Sequence, residues 1–159
     1  MSSNRIRVQF VCLGNICRSP LAEGVFRHLV TEQGIASEFV IASSGTGAWH
    51  VGQAPDSRMQ KTAYAKGVDI SRQRARQFKS GDLEDFDHIL AMDQSNLQNI
   101  LRHDAHGEYT DKVHLFREYD PEPGDYDVPD PYYGGDQGFE TVFRIVDRTC
   151  RQFLDQIRG

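Results

Sequence analysis

Cys12-Leu13-Gly14-Asn15-Ile16-Cys17-Arg18-Ser19 is the stretch whose reading decides the fold. Upstream, Arg7-Val8-Gln9-Phe10-Val11 reads as a buried parallel strand. Downstream, Ser19-Pro20-Leu21-Ala22-Glu23 opens a helix, with Ser19 expected as N-cap, Pro20 at the first position and Glu23 in the first turn. The stretch therefore bridges a strand and a helix. A turn of that kind aims backbone N–H groups and the positive helix end at one point, where an oxyanion binds. It also carries a thiol, Cys12, and a guanidinium, Arg18, five residues further along.

Outward from this turn the pattern alternates. Leu21, Val25, Phe26, Leu29 and Val30 repeat at helical spacing until Gly34. Phe39-Val40-Ile41-Ala42 reads as a second strand, and Asp56 as the cap of a helix running to Gly67 with Met59 and Ala63 inward. His88 to Met92 reads as a third strand ending at Asp93, which caps a helix carrying Leu97, Ile100 and Leu101 and ending near Gly107. Val113 to Phe116 gives a fourth strand. Phe139, Val142, Phe143, Val146, Cys150, Phe153, Leu154 and Ile157 share one face of a last helix. The expectation is an α/β fold: a single domain over residues 1–159, a four-stranded parallel sheet with helices on both faces, and a phosphate-binding loop between strand 1 and helix 1.

One segment breaks the alternation. Glu118 to Asp136 holds four prolines and seven carboxylates, which by composition alone reads as an acidic surface loop. Its tip reads otherwise, because Pro129 and Pro131 stiffen the backbone around Asp130.

A formal charge of −5 argues against a nucleic-acid binder, and Arg72, Arg74 and Arg76 read as a solvated face. Three cysteines without framework spacing, and no secretory segment, imply a reducing, cytoplasmic setting. No apolar run approaches the roughly 20 residues of a membrane helix. Cys12 and Cys17 lack a second pair of ligands, and His103 with His106 reads as a helix terminus, so no metal and no cofactor are expected.

A free thiol is mostly protonated at neutral pH, so a nucleophile at Cys12 calls for surroundings that favour the thiolate: the amides of Leu13 to Arg18, Arg18 itself and the Ser19 hydroxyl. Gly14 and Asn15 suit the positive φ angles of a tight loop. At position 18 the planar fork of arginine can hold two phosphoryl oxygens as they become equatorial, which lysine cannot do. Expulsion of an aryl or alkyl oxygen needs an acid, and Asp130 is the candidate; once ionised it can activate the hydrolytic water.

From Arg5 to the final helix the chain resembles the low-molecular-weight protein tyrosine phosphatases. Cys12-Leu-Gly-Asn-Ile-Cys17-Arg18-Ser19-Pro and Asp130-Pro-Tyr132-Tyr133-Gly carry the resemblance. It implies Cys12 as nucleophile, Arg18 as clamp and Asp130 as acid and base. It further implies Leu13, Gly14, Asn15, Ile16 and Cys17 around the phosphate, Trp49, Tyr132 and Tyr133 as walls for a flat ring, and Asn15, Ser19 and Ser43 as loop supports. Cys17 is implied as a redox partner that forms a disulfide with Cys12, although a small packed loop residue is an equal reading. Trp49 read without the resemblance is a partly buried core residue.

The implied substrates are tyrosine-phosphorylated proteins or peptides and small aryl phosphates, with inorganic phosphate or other oxyanions as product or inhibitor. Alternatives are a protein arginine phosphatase, which carries threonine where this chain has Ile16, an arsenate reductase, which needs further cysteines between Cys17 and Cys150, and a non-catalytic phosphate-binding module. A nucleotide-binding phosphate loop is excluded by the lack of any Gly-Lys pair.

Overall fold

The computed structural model of the protein describes residues 4–131 and 135–158. Strand β1 (Ile6–Cys12) lies at the centre of a four-stranded sheet, between β2 (Phe39–Gly45) and β3 (His88–Ala91), with β4 (Val113–Leu115) outside β3; every pairing is parallel. Two-residue alternation along β1 decides what each face buries. Val8, Phe10 and Cys12 enter one core and Val11 the other. The chain leaves β1 on one side to reach β2 and returns to the other side for β3, so the strand order reverses beside the C-terminal end of β1, where a crevice opens.

The first core is closed by α1 (Arg18–Glu32), α2 (Ser57–Ala65) and α5 (Gly135–Arg158). On α5 the apolar stripe from Phe139 to Leu154 is buried, and Phe153 meets Phe26 of α1 and Tyr119 with ring centroids 5.5 and 4.9 Å apart. Cys150 is part of this packing. The second core sits under a short helix, α3 (Asp82–Asp85), and under α4 (Gln94–Leu101), which contribute Leu83 and Ile100.

Asp56 and Asp93 cap α2 and α4 as expected, accepting from Arg58 N and Met59 N and from Asn96 N respectively. Ser19 does not cap α1. The helix starts at Arg18 after Cys17, with no side-chain cap, because the Ser19 hydroxyl is turned back to the Cys12 sulfur. Helix α4 ends at Leu101 rather than near Gly107. His103 N and Asp104 N bond to Ile100 O and Leu101 O and tighten its last turn, while the Asp104 carboxylate accepts from Tyr109 N and the Thr110 hydroxyl. The helix α3 and the 3-10 turns Ala36–Glu38, Thr110–Lys112 and Phe116–Tyr119 have no periodic signature in the sequence.

The acidic segment after β4 is tied down at its root. The Asp120 side chain is fully buried and receives Arg117 Nε at 2.9 Å, Arg148 Nε at 2.7 Å, Arg148 Nη2 at 3.0 Å and the Glu122 amide at 2.8 Å. Arg117 also donates to the carbonyls of Asp127 and Glu122. Burial alone would raise the Asp120 carboxyl, but the hydrogen bonds from Arg148, the Glu122 amide and Arg117 outweigh it and hold the group at about 2. The free-chain value is about 4, so the unfolded chain takes up the proton first as pH falls. The stabilisation is complete above about pH 4 and is lost as pH drops toward 2. Asp120→Ala should lower unfolding free energy at pH 7 by about 3 kcal/mol by stranding two arginines. In urea titrations the gap between wild type and variant should narrow below pH 4; a gap constant down to pH 2 contradicts the clamp.

Candidate active site

Cys12 ends β1 and Arg18 begins α1, and the backbone between them is turned so that carbonyls point out and amides point in. The outward carbonyls of Cys12, Leu13 and Ile16 accept from Thr46 N, Gly47 N and Asp56 N at 2.9, 2.9 and 2.8 Å. Among the described residues, the amides of Leu13, Gly14, Ile16 and Cys17 donate to no protein acceptor, and that of Asn15 lies 3.3 Å from the Cys12 sulfur. The result is a cup of unspent donors with a sulfur at its floor, which is the arrangement an oxyanion fills.

Asn15 holds the cup in shape. Its φ is +57°, a conformation that asparagine tolerates better than most side chains. The side chain lies behind the loop: Nδ2 donates to Ser19 Oγ at 2.8 Å and to Ser43 Oγ at 3.0 Å, and Oδ1 accepts Arg76 N at 3.0 Å. These bonds use both donor hydrogens and the acceptor, so the orientation of the amide is determined. Ser43 then donates to Glu23 Oε1 at 2.7 Å. Ser19 Oγ, already accepting from Asn15, has its hydrogen for the Cys12 sulfur 2.9 Å away, a shorter contact than its 3.3 Å to Ser44 O. Such contacts suit a sulfur bearing negative charge.

Arg18 is 6 % exposed. Its Nη1 donates to Asp93 Oδ2 at 2.8 Å and to the Val128 carbonyl at 3.0 Å. Burial acts to lower its pKa, yet negative charge at Cys12, Asp93 and Asp130 raises it above the ordinary arginine value, so it stays a cation. Among the described residues Nε and Nη2 have no partner, which leaves a pair of donors for two oxygens of one anion. Cys17 differs from Cys12. Burial, then the charges of Asp56, Cys12 and Asp130, push its thiol up to about 12 against the pull of Arg18, so it is a neutral thiol at physiological pH.

Cys12, Leu13, Gly14, Ile16, Cys17, Arg18, Trp49 and Asp130 line one cavity of about 260 Å³, together with His50. Trp49 is 71 % exposed and stands at the mouth rather than in the core: no apolar layer covers its loop, and its ring lies against Gly47. Gly14 does not take a positive φ. Its lack of a side chain matters instead because a Cβ there would come within 2.9 Å of the His50 ring. Tyr132 and Tyr133 lie outside the described residues. The cysteines are all free thiols, and among the described residues no group of His, Cys, Asp or Glu is arranged to hold a metal ion.

Several contributors had no clear signal in the sequence. Arg76 is no solvated charge: its amide locks Asn15 and its guanidinium reaches Asp82 and Gln9. Gly45 lets β2 approach the loop, since a Cβ would meet Leu13 O at 2.7 Å. Asp93 was readable as a helix cap, and its place at a strand C-terminus beside a switch point was the available hint of a second task.

A family profile described as Low molecular weight phosphotyrosine protein phosphatase matches residues 7–159. A Schizosaccharomyces pombe protein, "Low molecular weight phosphotyrosine protein phosphatase", is 46 % identical over 157 residues, 98 % of this chain and 99 % of its own length. Among solved structures, an Entamoeba histolytica protein tyrosine phosphatase with Hepes in the active site superposes with a TM-score of 0.91 at 34 % identity, covering 96 % of this chain and 97 % of the other. A Drosophila arginine phosphatase superposes with a TM-score of 0.89 at 31 % identity, covering 97 % and 99 %.

Asn15→Ala should keep the fold but loosen the cup, because it removes three hydrogen bonds and forces a less tolerant residue to φ +57°. Phosphate affinity, measured by titration calorimetry, should fall about tenfold or more, with a lower unfolding midpoint. Undiminished affinity would falsify the role given to this amide.

Proposed function

The chain belongs to the low molecular weight phosphotyrosine protein phosphatase family, and on that ground we propose that it hydrolyses phosphotyrosine in proteins and peptides, and small aryl phosphates, through a phosphocysteine. The observation that carries the proposal is a sulfur held at the floor of an amide cup, with Arg18 and Asp130 lining the same cavity.

The Cys12 thiolate attacks phosphorus in line with the leaving oxygen. Inward amides and the Nε and Nη2 of Arg18 receive the equatorial oxygens as charge spreads over them. Asp130, protonated at this step, gives its proton to the departing phenolate, so tyrosine leaves neutral and the phosphoryl group stays on sulfur. The Asp130 carboxylate then takes a proton from a water that attacks phosphorus, which releases phosphate and returns the thiolate. Asn15, Ser19 and Ser43 position the cup, and Ser19 steadies the sulfur as it leaves. Trp49 at the mouth, with Ile16 in the wall, favours a flat aryl group; Tyr132 and Tyr133 complete the slot in this proposal. No metal or cofactor enters any step.

A second reading, hydrolysis of phosphoarginine, draws support from the likeness to the arginine phosphatase, and Ile16 speaks against it by adding an apolar wall. Assays of p-nitrophenyl phosphate and of phosphotyrosine, phosphoserine and phosphoarginine peptides, with EDTA present, should give turnover of the aryl esters. Activity confined to phosphoarginine reverses the assignment. Asp130→Ala should slow poor leaving groups by about 10² or more and good ones far less; equal slowing removes Asp130 from the acid role.

The cytoplasmic setting is supported by three unpaired thiols, and Cys17 as a redox guard by its place beside Cys12 in the cavity wall. Peroxide converts the Cys12 thiolate to a sulfenic acid; the Cys17 sulfur displaces its hydroxyl, which leaves as water with the Cys17 proton, and a disulfide forms. Dithiothreitol should restore most activity to peroxide-treated wild type and little to Cys17→Ser. Equal recovery of the two proteins refutes the guard.

A further inference from the structure

Beside the phosphate cavity lies a second one of about 310 Å³, and the two share Leu13, Arg18 and Asp130 as a common wall. Its remaining lining comes from the start of α4 and from the segment 125–129. The chemistry of this second cavity is one-sided. Asp93, Asp125, Asp127 and Asp130 all line it, against a single cation, Arg18, whose charge is already paired with Asp93.

The carboxylates are committed only in part. Asp125 Oδ1 accepts the Asp127 amide and Asp127 Oδ1 accepts the Gln94 amide. No hydrogen bond is made by the second oxygen of either.

An independent sign comes from Asn96, which lines the same cavity. It is 1 % exposed, and its side-chain oxygen has no hydrogen-bond partner among the described residues. A buried carbonyl oxygen without a donor is costly and calls for one. The wall therefore combines carboxylates and an unmatched acceptor, all of them sites for N–H groups bearing positive charge. No set of residues here is arranged to hold a metal ion, so the complement is an extended cationic side chain.

We infer that this cavity is a subsite for a lysine or arginine side chain flanking the phosphotyrosine of a substrate. The inference rests on the proposed phosphatase reading, because the shared wall places the cation next to a phosphoryl group seated over Cys12. The long stem of either side chain spans the gap, and its head meets Asp125, Asp127 and the Asn96 oxygen.

The test uses phosphotyrosine peptides with lysine, alanine or glutamate at each position from three before to three after the phosphotyrosine. At one or more positions lysine should raise kcat/KM about fivefold or more over alanine, with glutamate below alanine, and the preference should shrink with added salt. A lysine ten residues away should have no such effect, which separates a local subsite from the attraction of the whole acidic protein. In the Asp125→Asn/Asp127→Asn double variant, whose amide oxygens can still accept the two backbone bonds, the lysine-to-alanine ratio should fall toward one. The ratio is taken within each protein, so a loss of rate common to both peptides does not enter it. Turnover of phosphotyrosine peptides with no position above a ratio of about two, or a ratio unchanged in the double variant, overturns the subsite and leaves the phosphatase reading standing. No turnover of any phosphotyrosine peptide overturns both.

Discussion

A ring of backbone amides pointing into an empty cup is an unfavourable arrangement, since each unmatched donor away from water costs on the order of 1 to 3 kcal/mol, and everything else in the site follows from how that cost is met. The carbonyls on the outside of the loop are all matched, to β2's continuation and to the residue that caps α2. Asn15 closes the remaining gap with three bonds from a left-handed backbone position. Amides of Leu13, Gly14, Ile16 and Cys17 thus stay preorganised, and binding an anion needs no rearrangement. The bonds that hold the loop do not compete with the ligand because they lie on its other side.

The buried arginine links this cup to the acid that faces it. Arg18 could not be buried without a counter-charge, and Asp93 supplies one from the start of α4 while the Val128 carbonyl supplies a second acceptor from the acidic segment. One guanidinium edge therefore senses the segment that carries Asp130, while the other edge faces the phosphate site. Val128 is also fixed by its own amide to Met92 O, and further back Arg117, Asp120 and Arg148 anchor the segment to α5. Nucleophile and acid come from opposite ends of the chain, yet their separation is set by a short run of bonds that cross it.

What could be read from the sequence was local. The strand, the loop and the helix around Cys12 follow from eight adjacent residues, the caps at Asp56 and Asp93 from single positions before apolar runs, and α5 from a stripe of one period. The parallel sheet follows from the alternation. The misreadings have a common cause, which is a competing partner far along the chain. Ser19 had the composition of a cap, but a sulfur at the end of β1 took its hydroxyl. Arg76 looked like one of three solvated arginines until the Asn15 oxygen claimed its amide. Composition suggested an exposed acidic loop after β4, whereas Asp120 meets Arg148 across 28 positions and disappears from solvent. No pattern of neighbours encodes such pairings.

The two sulfurs in the cup show that position in a motif does not by itself assign chemistry. Both are buried and both line the same cavity. Burial alone disfavours a thiolate at either. The difference lies in donors: the sulfur of Cys12 has the Ser19 hydroxyl and the Asn15 amide within hydrogen-bonding distance, whereas no hydrogen bond reaches the sulfur of Cys17, whose thiol burial and nearby negative charge hold at about 12. Negative charge on Cys12 itself is among the causes that keep Cys17 protonated. A single-anion cup is thus built in, because the first sulfur to ionise suppresses the second. That ordering serves the chemistry, for two thiolates facing one phosphate dianion would repel it, and one leaves the positive field of Arg18 and the amides for the substrate.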